Sequence, residues 1–235
     1  MVLLLDASSK LVTNAWTDIQ GYANSVVDRY NINPNVNCIR VGVIIYSDNA
    51  VVSIELNRYS DRSSLKQAII QLRLLNGGSN LANAFSMLRS RVLPTIRSTA
   101  NLVAIVVTDQ IQASNQLTNE SNSLKSAGVR IIAVGINRSN RVDRNTLFGI
   151  STNNYAIIVN DYTQLSPTLN RVVLQWGCYQ AIITTTPAPA IGTYCFANIS
   201  TFFAKKIKSR HNLRLLLRQT NFFTLSVPLD YITSS

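Results

Sequence analysis

Histidine is almost absent from this 235-residue chain, which has only His211. A Ser–His–Asp or Cys–His catalytic arrangement therefore has no imidazole to draw on before position 211. Three cysteines are too few for a disulfide framework, though enough for one bridge and a leftover thiol. Nine glycines and six prolines exclude a collagenous repeat. No 18-residue stretch stays apolar without a proline or a charge, which argues against a membrane-spanning helix. Neither G-x-G-x-x-G after the first apolar run nor G-x-x-x-x-G-K-[ST] occurs, so dinucleotide and P-loop readings have no motif. An enzyme on a dinucleotide-type fold would then rest on fold alone, which does not imply function.

Acidic side chains are also scarce, 11 against 22 Lys and Arg, giving a formal net charge of +11. Taken alone, that suggests an anionic partner such as nucleic acid, acidic polysaccharide or a membrane surface. The charge is uneven, however. Residues 1–178 hold 16 basic and 10 acidic side chains, and residues 179–235 hold 6 and 1. A lone basic cluster of this size binds polyanions in a salt-sensitive way without specificity, so no specific nucleic acid is implied.

With 46% hydrophobic and 14% charged residues, the chain has the composition of one large domain, or one domain plus an appendage. Short β-branched runs at Val2–Leu5, Ile39–Tyr46, Leu102–Val107, Val129–Val134 and Tyr155–Val159 alternate with helical patterns. Val12, Ala15, Trp16, Ile19, Tyr22, Ala23, Val26, Val27 and Tyr30 recur at helical spacing. Leu81, Ala84, Phe85, Leu88 and Val92 do the same before Pro94, and Leu117 to Gly128 and Tyr162 to Trp176 complete the set. Val51–Leu56, after a Ser47–Asp48–Asn49 turn, reads as a hairpin partner. The expected fold is a doubly wound, Rossmann-like α/β domain. Its mostly parallel sheet carries one antiparallel edge strand and helices on both faces. Residues 179–235 break the rhythm: TTTPAP at 184–189 reads as a linker, and KKIKSRHNLRLLLR at 205–218 as part of an irregular, basic, poorly ordered tail. The domain is thus placed at 1–178. Its ligand site belongs where loops leave the C-terminal strand ends.

Three such loops hold small hydroxyl or acidic residues: Asp6–Lys10, Asn76–Asn80 and Thr108–Gln110. Carboxylates with serine hydroxyls form an oxygen-only environment suited to Mg2+, Mn2+ or Ca2+ rather than zinc. A plainer reading is that Asp6 and Ser8 cap one helix and Ser79 another, with Gly77 and Gly78 turning the chain.

The D-x-S opening, the GG-S-N loop and the VVTD strand end, in that order, resemble the von Willebrand factor type A domain over about residues 2–178. LNRY at 56–59, LLNGGSNL at 74–81 and GVRIIAVGI at 128–136 strengthen the likeness. NDY at 160–162 and QWGC at 175–178 are similar to molluscan extracellular-matrix members. The resemblance implies a metal-ion-dependent adhesion site at Asp6, Ser8, Ser79 and Asp109, holding Mg2+ or Mn2+. Lys10 stands where the family places a further serine ligand. An ammonium beside a cation is unfavourable, roughly 4 kcal/mol for single charges 4 Å apart at an effective dielectric of 20. Either Lys10 takes the cation's place between Asp6 and Asp109, or it swings outward and water fills the ligand position. The resemblance further implies a non-enzymatic, secreted adhesion module whose rim, including Lys10, Asn80 and Gln110, meets a protein ligand such as collagen. An intracellular interaction subunit is the alternative.

Met1 abuts the first strand, leaving no signal peptide, which suits either a cytosolic protein or a chain lacking its upstream part. Cys38 with Cys178, Cys178 with Cys195, or three reduced thiols all remain open. The sequons at Asn119, Asn137 and Asn198 matter only in a secreted protein.

Overall fold

The computed structural model describes residues 1–8, 14–33, 39–75, 77–98, 100–169, 171 and 172. Lys10, Asn76, the three cysteines, His211 and residues 179–235 lie outside them. The chain divides into units Met1–Cys195 and Phe196–Ser235, and every described residue belongs to the first.

Six strands, β1 (Val2–Asp6), β2 (Gly42–Tyr46), β3 (Ala50–Ile54), β4 (Val103–Thr108), β5 (Arg130–Ile136) and β6 (Ala156–Val159), form one sheet in the order β3-β2-β1-β4-β5-β6. All neighbours are parallel except β2 and β3, the expected antiparallel edge. Strands buried on both faces explain the continuous β-branched runs that replace polar–apolar alternation. Leu3 and Leu5 of β1, with Val43, Ile45, Ile105 and Val107, face one core. That core is closed by α1 (Ala15–Val27), α2 (Arg62–Ile70) and α6 (Leu165–Leu169). Val2, Leu4, Ile44 and Val106 face the other, covered by α3 (Leu81–Met87), α4 (Asn115–Ser126) and α5 (Arg144–Ile150). The doubly wound architecture is as expected. Among the described residues no helix is long and apolar enough to cross a membrane.

The helices differ in detail from the periodicity. α2 has only Leu65 and Ile69 buried, too narrow a stripe to stand out in the sequence. It is held instead by a local cap and by tertiary bonds: Asp61 Oδ1 accepts from the Ser64 N–H at 2.8 Å at its start, and Gln20 Nε2 donates to the C-terminal carbonyls of Ile69 and Ile70 at 2.7 and 2.8 Å. The pattern from Leu81 to Val92 is not one α-helix. α3 stops at Met87, a wider π turn runs through Leu88–Val92, and a 3-10 turn holding Pro94 ends it. Gly128, at φ +81°, follows α4 in the left-handed region, as its position in the pattern suggests.

The strand order reverses between β1 and β4. Both strands end at the same rim, which is the switch point at which ligands bind in sheets of this topology.

Candidate functional site

Asp6 closes β1 and is fully buried, between Tyr46 at the end of β2 and the end of β4. Its Oδ1 accepts the Ser8 N–H at 3.1 Å, and its Oδ2 accepts the Ser79 hydroxyl at 2.7 Å. The Thr108 hydroxyl lies 3.1 Å from the same Oδ2 and 2.7 Å from the Gln110 carbonyl, its single proton serving one or the other. Three separate loops therefore meet on one carboxylate. Helix capping does not account for them. α3 is capped by Asn80, whose Oδ1 accepts from the Asn83 N–H at 3.3 Å, and the cap position of α1 is Asn14, with no side-chain bond.

Ser79 is delivered by a loop that the β2–β3 turn fastens. Asp48 Oδ1 accepts the Gly78 N–H at 2.8 Å, the Asn80 N–H donates to the Ser47 carbonyl at 2.7 Å, and Asn83 Nδ2 donates to the Asp48 carbonyl at 2.7 Å. Gly77 sits at φ +112°, and a Cβ there would lie 2.1 Å from Asp48 Oδ2. The backbone conformation favours glycine, and a side chain would also have to push the Asp48 carboxylate aside.

Asp109 follows β4 and is only 5% exposed. Its Oδ2 accepts from Arg141 Nη2 at 2.6 Å and from the Tyr162 hydroxyl at 3.1 Å. Arg141 Nη1 also reaches Gln110 Oε1 at 3.2 Å. Burial, then the Asp109 charge, pushes the Tyr162 hydroxyl up, so it stays a proton donor to that carboxylate. Arg141 was not singled out in the sequence, and Tyr162 only within the NDY phrase and the last helical pattern, with no role at the site. The available signal was positional: Arg141 lies in the loop leaving β5, at the rim where β1 and β4 also end.

The structure thus brings together Asp6, Ser8, Ser79, Thr108 and Asp109, with half-buried Asn80 and Gln110 beside them in the chain. Lys10 lies outside the described residues. In kind, the donors fit a hard divalent cation: two carboxylates and several hydroxyls, with no sulfur or imidazole. The Ser8 hydroxyl is buried without a partner at hydrogen-bonding distance among the described residues, although it lies near enough to lower the Asp6 carboxyl slightly. Such a cation would be held by Asp6, Ser8, Ser79 and Asp109, and would offer a Lewis-acid position to a ligand's oxygen.

Burial raises the Asp6 carboxyl above its ordinary range, and hydrogen bonds from Ser79, Ser8 and Thr108 oppose this in part. For a carboxyl raised in the folded state, the linked stability is complete below the unfolded value of 3.8 and falls as pH climbs through the raised value. Asp6→Asn, uncharged throughout, is expected to gain stability relative to the parent as pH rises from about 4 to neutrality in chelator. Thermal unfolding across that range measures the difference. One that shrinks with pH would mean the ionised carboxylate is net stabilised.

Comparisons with known proteins identify the family and the fold. The family model for the von Willebrand factor type A domain matches residues 1–171. The human collagen alpha-6(VI) chain is 26% identical over 173 residues, covering 73% of this chain and 8% of that one. Mouse matrilin-3 is 25% identical over 146 residues, 59% of this chain and 30% of that protein. The fold matches proximal thread matrix protein 1 from the mussel byssus, in a structure with a zinc-occupied MIDAS motif, at TM-score 0.67 and 24% identity. That match covers 73% of this chain and 44% of the mussel one. The chain spans under a tenth of the collagen and under a third of the matrilin. From its model match and from a sheet whose switch point carries the motif residues, the chain belongs to the von Willebrand factor type A family.

Proposed function

We propose that residues 1–178 form a non-enzymatic adhesion module of a secreted extracellular-matrix protein. The module binds a protein ligand, collagen foremost, through a degenerate metal-ion-dependent adhesion site. Asp6, Ser8, Ser79 and Asp109 are the remnant of the cation site, weakened by Lys10 at the position of a further serine. Mg2+ or Mn2+ binds weakly or not at all. Lys10, Asn80 and Gln110 form the rim that meets the ligand, and a cationic rim receives an acidic ligand group directly.

The observation that carries this reading is the meeting of three loops on Asp6, with Asp109 already neutralised beside it by a guanidinium. Kinship with collagen VI and matrilin chains supports the extracellular setting. Non-enzymatic function is supported by the lack of any histidine before position 211.

Solid-phase binding of the full chain to collagen tests the reading. Binding is expected to persist in chelator. A double Asn80→Asp, Gln110→Glu variant, which turns the rim acidic, is expected to weaken it about tenfold or more. Binding that disappears with chelator contradicts the cation-independent site, and failure to bind any collagen contradicts the ligand.

A further inference from the structure

Arg141 is the one described cation that touches the carboxylate machinery of the rim. Its backbone is fixed on both sides. The Ile111 N–H donates to the Arg141 carbonyl at 3.0 Å, and the Asp143 N–H donates to the Ile111 carbonyl at 3.0 Å. Gln112 Nε2 donates to the Arg141 carbonyl at 3.2 Å, and the Val142 N–H donates to Asn137 Oδ1 at 3.1 Å. This short parallel bridge between Ile111 and Val142 stitches the loop after β5 to the loop after β4. The guanidinium is consequently delivered to Asp109 from a held backbone, and two of its nitrogens reach adjacent residues, Asp109 and Gln110. At 27% exposure the side chain still borders solvent.

We propose that Arg141 is a built-in competitor of the divalent cation: it holds Asp109 and Gln110 in a cation-independent arrangement, and a cation gains full use of Asp109 only by displacing it. The inference rests on reading Asp6, Ser8, Ser79 and Asp109 as one cation-type site. Affinity in oxygen-ligand sites follows the charge of the ligand set. Pairing with Arg141 removes one of the two carboxylate charges available there. Tyr162 donates to the same Oδ2, so Asp109 keeps a hydrogen-bond donor after Arg141 leaves, while the counter-charge would come from the cation that displaces it. The rim then has two alternative states. In one the guanidinium orders it, and in the other a cation does.

The test is calorimetric titration of Mn2+ into the full chain, comparing the parent with R141Q, R141K and R141Q combined with S79A. R141Q is expected to bind Mn2+ about tenfold or more tightly than the parent, the usual scale of coupling between antagonistic ligands. Adding S79A removes that gain. R141K keeps the charge but loses the planar two-point fork, and shows a smaller gain of a few fold. Should R141Q fail to fold by thermal unfolding, the gain in R141K carries the test. An arginine with only a structural role would lower thermal stability without raising Mn2+ affinity, and equal or weaker binding by the folded variants overturns the proposal. If Mn2+ binds the parent and R141Q equally and S79A abolishes it, the competition fails while the cation-type site stands. If S79A leaves binding unchanged, the site itself is misplaced and the proposal falls with it.

Discussion

Phe85→Ala is expected to cost about 3–5 kcal/mol, the usual range for emptying a buried aromatic position. Phe85 is fully buried in the core on the α3 side of the sheet. α3 is seven residues long and has no stability of its own at that length, so its position depends on Leu81, Ala82, Ala84 and Phe85. For a domain of this size the loss lowers the midpoint of thermal unfolding by roughly 6–20 °C. It also reaches function, because the first residue of α3 follows Asn80 and Ser79 directly. Phe85→Leu keeps most of the volume and is expected to cost less than about 1.5 kcal/mol. Denaturant unfolding of the three proteins measures both values. Equal costs for alanine and leucine would show that the site collapses around the smaller side chain.

Gly77→Ala is the second large effect, expected at about 2–4 kcal/mol, from backbone strain and a lost hydrogen bond together. At φ +112° any side chain is strained, and the new Cβ would meet Asp48 Oδ2 at 2.1 Å. Asp48 is exposed and its carboxylate can move, but moving it breaks the 2.8 Å bond to the Gly78 N–H that holds the Ser79 loop. Asp48→Ala alone is expected to cost about 1 kcal/mol, since it loses that bond and leaves the glycines unstrained. In the double variant the collision is gone, and the strain and the lost bond remain with the bond counted once, so the two costs fall short of additive. Full additivity would place the whole effect in the backbone at Gly77.

The sheet was legible because its inner strands, β1, β2, β4 and β5, are buried on both faces. Runs such as Ile44–Ile45 in β2 and Val103–Val107 in β4 need no alternation to stand out, and the Ser47–Asn49 turn marked the single antiparallel pairing. α2 and α5 were not legible. Each buries only two apolar residues, Leu65 with Ile69 and Leu147 with Ile150, and each is anchored by a capping aspartate, Asp61 or Asp143. Caps are local bonds that a periodicity count passes over.

The site divides in the same way. Asp6, Ser8, Ser79 and Asp109 stand in motif order at strand ends, and the fold gathers them there. Arg141 and Tyr162 reach Asp109 from 32 and 53 positions away, with no spacing rule to announce them. The same is true of Asp48, which controls the glycine loop from 30 positions away. Tertiary contacts of this kind follow from topology, here the convergence of the loops after β1, β4 and β5. The basic excess of the sequence therefore acquires a local meaning at Arg141, beside the one assigned to Lys10.

The central claim, that a ligand is received at the rim of the β1–β4 switch point, is tested most directly by amide hydrogen exchange. The full chain would be followed with and without soluble collagen, in chelator. Protection is predicted at residues 77–80 and 109–112, with little change along β3 or β6. Protection confined to either sheet edge, with exchange at those two loops unchanged, would contradict it.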